Sequence, residues 1–317
     1  MTVTQIAGGF YKTYSYGHSS GFTPDSLFSV CRSMNRTTTP QSDANLCIFG
    51  IFAAKSDNYM KTFAIVGCGR LGKVVANAYL NGYLPDYRLT GAFSRTYSSA
   101  EELAAMADGC IPYETMDKLL DSRPDYIVEA ASPAAMREFA IPALKRGISI
   151  VTLSIGAFAD DTFYADVAEA ALSSGARVYV ASGATGGFDV LRTAALMGNA
   201  HADFFNEKGP GALRGTAVFE DSLMDEKRVV FEGTAKEAIA MFPTKVNVTV
   251  AASRASVGPE NLHVTMQSTP GFIGDTQRVE IRNDQVKAVV DVYSATPEIA
   301  GWSAVAVLRN IVSPIVF

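Results

Sequence analysis

Phe63-Ala64-Ile65-Val66-Gly67-Cys68-Gly69-Arg70-Leu71-Gly72 decides the reading of this chain. An apolar run breaks into three glycines and then into a helix-like pattern. Gly67, Gly69 and Gly72 carry the G-x-G-x-x-G spacing. In that motif the first glycine permits a tight turn and the second lets backbone approach a pyrophosphate. The third lets the helix sit close on the strand. The anion would rest on a helix beginning near Leu71, where free N–H groups and the helix dipole favour negative charge. Arg70 and Leu71 join the three glycines as candidate cofactor contacts. A tight strand-to-helix turn without a ligand is the competing reading. The strand before the motif and the β/α units after it favour a dinucleotide site.

Outward from this motif, strand and helix signals alternate. β-rich runs lie at 62–66, 88–93, 125–131, 148–153 and 176–181. Helical patterns lie between them at 71–81, 98–107, 115–121, 133–146 and 161–174, and a further helix covers 188–199. Near-continuous apolar runs such as Tyr126-Ile127-Val128 suit strands covered on both faces. Gly147 and Gly175 each fall just past a helix, where glycine is favoured. The pattern predicts an α/β fold: a Rossmann-type doubly wound parallel sheet over residues 60–200, with its nucleotide site at the carboxyl edge.

After residue 200 the pattern changes. Segments 213–220, 227–232, 245–253, 261–267, 277–282 and 285–293 read as strands and 234–242 as helix. Residues 201–295 are thus expected to form a second, α+β domain with its own mostly antiparallel sheet, serving substrate binding and dimerisation. A last helical pattern at 297–312 holds the only tryptophan, Trp302. Segment 296–317 is expected to return to the first domain. Residues 1–59 look foreign to the rest, being rich in Ser, Thr, Gly and Asn with little sustained periodicity. They read as a disordered or spurious N-terminal extension, with Met60-Lys61 where such a chain would normally begin. The apolar stretch from Leu46 to Ala54 lies too far from the N-terminus for a signal peptide.

Composition narrows the partners. The 317 residues are 48% hydrophobic and 19% charged with a net charge of −5, so no basic surface recommends a nucleic acid. No apolar run reaches the length of a membrane span. Cys31, Cys47, Cys68 and Cys110 form no C-x-x-C pair, and with three histidines a metal site is not expected. Reduced thiols in the cytoplasm are the simplest reading.

The residue that separates NAD from NADP normally sits at the end of the second strand, about 20 residues past the glycines. Here that strand ends Gly91-Ala92-Phe93-Ser94-Arg95-Thr96, with no acid for a ribose 2′-hydroxyl. Ser94 and Thr96 can donate to a phosphate and Arg95 can grip it with its fork of N–H groups. NADP is expected to be favoured over NAD. Ala130-Ala131-Ser132-Pro133 and Ser154-Ile155-Gly156-Ala157 end the next two strands. Ala131, Ser132, Ser154, Gly156 and Ala157 leave room there for ribose and nicotinamide.

Two glycine-bearing segments then resemble a known family. Ser154-Ile155-Gly156-Ala157-Phe158-Ala159-Asp160 and Ser182-Gly183-Ala184-Thr185-Gly186-Gly187-Phe188-Asp189 are similar to the S-V-G-A-L-A-D and S-G-A-I-G-G-L-D signatures of the L-aspartate dehydrogenase family. Glu237-Ala238 with Phe242-Pro243-Thr244-Lys245-Val246-Asn247-Val248 resembles that family's E-A…F-P-x-N-x-N-V segment. The resemblance runs over residues 60–317. It implies oxidation of L-aspartate by NAD(P) to iminoaspartate, which hydrolyses to oxaloacetate and ammonia or supplies NAD biosynthesis. It also implies a homodimer, with Ala184 and Asn247 as cofactor or substrate contacts. The residues agree. Gly183 to Gly187 can converge backbone N–H groups on a carboxylate or amide, and an asparagine among valines needs partners if buried. A β-bulge or turn side chain is the alternative for Asn247.

Two departures stand out. The family's N-x-H-x-[IV], with its catalytic histidine, reads Asp275-Thr276-Gln277-Arg278-Val279 here. Gln277 takes the catalytic position, and a carboxamide can orient by hydrogen bonds but cannot exchange a proton near neutral pH. The family's N-P-K-T-S is replaced by Thr296-Pro297-Glu298-Ile299-Ala300, which puts an anion where a second substrate carboxylate would want a cation. His201 and His263 are the other imidazoles of the region, and Asp189 reads as a helix cap. The expected activity is oxidation of the CH–NH2 group of an amino acid, aspartate or a less acidic one. A related reductase or dehydrogenase with another substrate, and a non-catalytic dinucleotide sensor, are the alternatives.

Overall fold

A computed structural model describes residues 2–7, 10–15, 60–242 and 246–317. The chain divides into two units, Met1–Asn58 and Tyr59–Phe317. In the first, β1 (Thr2–Ala7) and β2 (Phe10–Ser15) pair antiparallel, from Thr2 opposite Ser15 to Ala7 opposite Phe10. The expectation of a disordered extension over 1–59 otherwise falls on residues outside those described.

The second unit begins with the quoted stretch. β3 (Lys61–Val66) is buried from Phe63 onward, and it runs through the glycine turn into α1 (Arg70–Leu80). Then follow β4 (Tyr87–Phe93), α2 (Tyr97–Ala104), β5 (Ile111–Tyr113), α3 (Met116–Asp121) and β6 (Tyr126–Glu129). The series ends with α4 (Pro133–Lys145), β7 (Ser149–Thr152), α5 (Asp161–Ser174), β8 (Val178–Val180) and α6 (Phe188–Leu196). The six strands from β3 to β8 form one wholly parallel sheet in the order β5-β4-β3-β6-β7-β8. That is the doubly wound order whose direction reverses between β3 and β6, and the crevice beyond that switch point is where such sheets bind ligands. Side chains such as Phe63, Ile65, Ile127, Val128 and Ile150 are sealed on both faces. Each contributes roughly 1.5–3 kcal/mol by leaving water. Gly147 and Gly175 take φ of +80° and +75° just past α4 and α5, the left-handed turn expected of them.

After α6 come β9 (His201–Lys208), β10 (Arg228–Thr234), α7 (Ala235–Met241), α8 (Asn247–Arg254), β11 (Leu262–Ser268), β12 (Asp275–Arg282) and β13 (Lys287–Ser294). Their sheet has the order β10-β11-β9-β12-β13; only β11 and β9 are parallel, the other pairs antiparallel. One face buries Ala202, Phe204, Leu262, Val264, Met266, Val279 and Ile281 in a core shared with Leu191, Ala238, Val250 and Phe158. The opposite face carries cross-strand ion pairs, among them Arg278–Asp291 and Arg282–Asp203.

Three expectations fail in this half. Residues 213–220 form turns after a short 3-10 segment, Pro210–Leu213, and not a strand. Residues 247–254 are helix α8, although Val246, Val248 and Val250 alternate like a strand; Val246 and Val250 also meet the four-residue spacing of a buried helical face, and that spacing wins. His201–Lys208, unmarked in the sequence reading, is the central strand β9.

α9 (Glu298–Val312) lies on α1, buries Ala304, Val305 and Leu308, and accepts the Tyr87 hydroxyl on the Leu308 carbonyl at 2.7 Å. A Cβ on Gly301 would stand 2.8 Å from the Val74 side chain, so only glycine allows the two helices this close.

Candidate active site

The glycine turn divides its labour as the motif requires. Gly67 has φ of +98°, and a Cβ there would lie 2.6 Å from the backbone of Ala130 and Ala131. A Cβ on Gly72 would meet the Gly67 carbonyl oxygen at 2.1 Å, whereas Gly69 faces open space. α1 has Gly69 at its N-cap, no side-chain cap and no acid in its first turn. Its leading N–H groups, at Arg70, Leu71 and Gly72, are therefore left for an anion. These residues fit a dinucleotide pyrophosphate. The Cys68 thiol between them donates to the Phe93 carbonyl at 3.4 Å, and burial pushes it up to about 11, which makes it a poor nucleophile. Arg70 pairs with Glu298 at the start of α9, at 2.6 Å from Nε and 2.5 Å from a terminal nitrogen. Thr296 and Arg70 hold the Glu298 carboxyl below its usual range. The anion expected to disturb a substrate carboxylate is thus turned toward the glycine turn.

Ser94 is half-buried and Arg95 exposed, directly after β4. Ser132 caps α4 by accepting the Ala135 N–H at 3.1 Å. Ala131 sits beside it, exposed, against Gly67. Ser154, Gly156 and Ala157 are buried where β7 ends.

What holds these loops together is a residue the sequence reading passed over. Glu129, at the end of β6, is fully buried. Its Oε1 accepts the N–H groups of Ala131 (2.8 Å) and Ser132 (3.0 Å) and the Ser154 hydroxyl (2.8 Å). Its Oε2 accepts the Thr152 hydroxyl (2.7 Å) and the Ser154 N–H (3.0 Å). Burial drives this carboxyl above its ordinary range, while the Thr152 and Ser154 donors pull against the rise. The signal in the sequence is a lone acid closing a strand that is otherwise apolar.

Asn247 is the first residue of α8, and not part of a strand or bulge. Its Oδ1 accepts the Gly156 N–H at 2.8 Å, which ties the second domain to the loop after β7. Ala184 is half-buried in a loop fixed at both ends. The Gly183 N–H donates to Ser303 of α9 at 3.0 Å, and a Cβ on Gly187 would lie 2.4 Å from Val290 of β13. Gly187, and not Asp189, stands at the N-cap of α6, because its φ of +65° suits glycine. Gln277 lies on the inward face of β12, 5% exposed, and its Oε1 has no partner among the described residues. His201 and His263 are exposed on the other face of that sheet, and His263 stands between Asp203 and Glu232. Neither can reach across the sheet to the Gln277 side. Among the described residues no cluster of His, Cys, Asp and Glu could hold a metal, and no helix is long and apolar enough to cross a membrane.

A glycine turn at the switch point of this sheet, closed by a second mixed sheet, defines a two-domain NAD(P)-dependent dehydrogenase. Residues 67–181 match the homoserine dehydrogenase NAD-binding domain family, and residues 189–311 match the aspartate dehydrogenase C-terminal family. An L-aspartate dehydrogenase from Methanocella arvoryzae is 30% identical over 268 residues, covering 81% of this chain and 98% of that protein. One from Methanothermobacter thermautotrophicus is 31% identical over 254 residues, covering 78% and 94%. The crystal structure of aspartate dehydrogenase from Thermotoga maritima aligns with a TM-score of 0.66 at 26% identity, covering 81% of this chain and 99% of that one. The chain belongs to the L-aspartate dehydrogenase family.

Proposed function

We propose that the chain oxidises the CH–NH2 carbon of an amino acid, L-aspartate or a less acidic relative, using NADP in preference to NAD. The bound nicotinamide supplies the hydride acceptor. Gly67, Gly69, Gly72 and the α1 N-terminus hold the pyrophosphate. Ser94 and Arg95 favour the 2′-phosphate, because no carboxylate follows β4 to claim a free ribose hydroxyl. The loops carrying Ala131, Ser132, Ser154, Gly156 and Ala157, with Asn247 and Ala184, surround the ribose and nicotinamide. Gln277 orients substrate and exchanges no proton, so water takes the proton and hydrolyses the imine. A water-poor cleft that orients both reactants contributes to rate even without a protein base. The observation that carries this reading is the open Gly69 approach beneath an uncapped helix. A cytoplasmic homodimer is the assembly the family resemblance supports, and sedimentation at micromolar concentration tests the dimer.

The deciding experiment is a fluorescence titration with NADPH and NADH, followed by initial rates with L-aspartate and other amino acids. Tighter binding and a higher kcat/KM with NADP are expected; a higher kcat/KM with NAD overturns the cofactor preference. Gln277→His is expected to raise aspartate oxidation. Cofactor binding without turnover of any amino acid would favour a dinucleotide sensor instead.

A further inference from the structure

The inward face of the second sheet is apolar along most of its length and polar at one end. β9 places Ala202 and Phe204 inward, then Asn206 and Lys208. The ladder sets Gln277 opposite Asn206 and Asp275 opposite Lys208 on β12, and Ser268 opposite Lys208 on β11. Opposed positions lie about 5 Å apart and diagonal ones roughly 7 Å, the span of a small molecule. Asn206, Ser268 and Gln277 are at most 5% exposed, yet Asn206 Oδ1, Ser268 Oγ and Gln277 Oε1 have no partner among the described residues. Asn206 uses only its amide nitrogen, on the Thr276 carbonyl at 3.0 Å. Lys208 is 9% exposed and has one carboxylate near, Asp275 Oδ1 at 3.6 Å, beyond hydrogen-bond reach.

Three buried polar atoms without partners, gathered around one buried cation, are rare in a finished core, where such groups find partners. The Ser182 to Gly187 loop meets the same sheet next to its polar end, where the apolar stretch begins. Gly187 rests on Val290, whose ladder partner Val279 is two residues from Gln277. Thr185 of that loop is 5% exposed and its hydroxyl is also without a partner among the described residues. The chemistry is complementary on both counts. A cation suits a carboxylate, and two carboxamide oxygens beside it suit the N–H groups of an amine.

We propose that this polar end is the amino-acid subsite. Lys208 binds a substrate carboxylate, and the Asn206 and Gln277 oxygens receive its amino group. Ser268 and Thr185 hydrogen-bond the remaining polar atoms. The inference rests on the dehydrogenase reading above and deepens it by naming what holds the substrate. Asp275 shares the Lys208 charge and moderates the affinity.

The test is calorimetric titration of the full chain with L-aspartate, L-alanine and succinate, with and without NADP, beside initial rates. Lys208→Met is expected to weaken every probe by at least about 30-fold, the loss typical of truncating a buried charged partner. Its KM should rise in step while NADPH affinity stays within about twofold, and Lys208→Arg should recover most of the loss. Asp275→Asn, which removes a competing anion, should tighten all three probes. Gln277→Leu should weaken L-aspartate more than succinate, which has no amine. A folded Lys208→Met that binds the probes like the parent overturns the subsite, and so does a parent that binds none of them. If the parent binds probes through Lys208 but turns over no amino acid, the dehydrogenase reading fails and the subsite stands.

Discussion

Glu129 and Lys208 are the two charged side chains buried among the described residues, and their surroundings are opposite. Glu129, at the carboxyl edge of the parallel sheet, accepts five hydrogen bonds from the loops on either side of it. Lys208, at the end of the mixed sheet, has a single carboxylate at 3.6 Å and lies beside neighbours whose oxygens have no partner among the described residues. A buried network with every partner in place rigidifies a scaffold; one with partners missing carries a cost that a ligand can relieve. One domain has completed its polar chemistry to shape the loops after β6 and β7. The other leaves its own open.

The difference is broken most severely at Glu129. Glu129→Ala removes the acceptor of five hydrogen bonds; the Ser154 N–H keeps the Thr152 hydroxyl oxygen at 3.0 Å but the other four donors lose theirs, and about 4 kcal/mol of stability should be lost even after partial rescue by an entering water. Urea unfolding measures this, and NADPH affinity should fall with it, because the Ala131, Ser132 and Ser154 backbone loses its anchor. A loss below about 1 kcal/mol would show that the carboxylate is not the organiser of these loops.

Glu129→Gln is milder, about 2 kcal/mol, since the carboxamide keeps one acceptor but sets its own N–H groups against donors. It also carries a pH signature. Burial raises the folded-state value of Glu129 above its unfolded one, so the native state holds the proton more tightly. Its contribution is complete below the unfolded value and is lost as pH rises through the folded one. The difference between the parent and Glu129→Gln stability curves should therefore shrink with rising pH across the carboxylate range and upward. A difference that grows instead would mean that the five donors outweigh burial.

Asn247→Ala tests the seam between the domains. It removes one hydrogen bond, to the Gly156 N–H, and should cost about 1 kcal/mol. NADPH affinity should weaken more than stability does if Gly156 lines the nicotinamide pocket. Equal, small changes in both would reduce Asn247 to a tether.

The parallel half was legible because its strands are sealed on both faces and its turns need glycine, so hydrophobic runs and Gly67, Gly147 and Gly175 mark the boundaries directly. β5 escaped because it is three residues long and contains Pro112. The mixed half hid for the opposite reason. β9 reads His-Ala-Asp-Phe-Phe-Asn-Glu-Lys, and its inward positions include Asn206 and Lys208, so the alternation of apolar and polar residues that marks a half-buried strand is absent. The residues that would bind a substrate are the ones that spoil the pattern of a strand. Asn247 finds a partner in the Gly156 N–H, but it opens a helix where the sequence suggests a strand, because branched side chains in alternation satisfy both periods. The loops after β6 and β7 show in the sequence through their small residues; the acid that pins them does not, since a glutamate is ordinarily read as surface.

Ser268→Ala gives the smallest effect and the cleanest contrast. Ser268 is wholly buried and its hydroxyl has no partner among the described residues, so the side chain bears a desolvation cost without a compensating bond. Removing the oxygen leaves only a small void in place of an unmet donor. Chemical denaturation should find Ser268→Ala as stable as the parent or more stable by up to about 1 kcal/mol, the opposite sign from any change at Glu129. Substrate affinity should fall a few-fold at the same time. A destabilised Ser268→Ala would mean that the hydroxyl already has a partner in solution, and the contrast between a finished and an open polar site would narrow to Lys208, Asn206 and Gln277. Stability gained with affinity lost is the outcome that a structural role for Ser268 cannot produce.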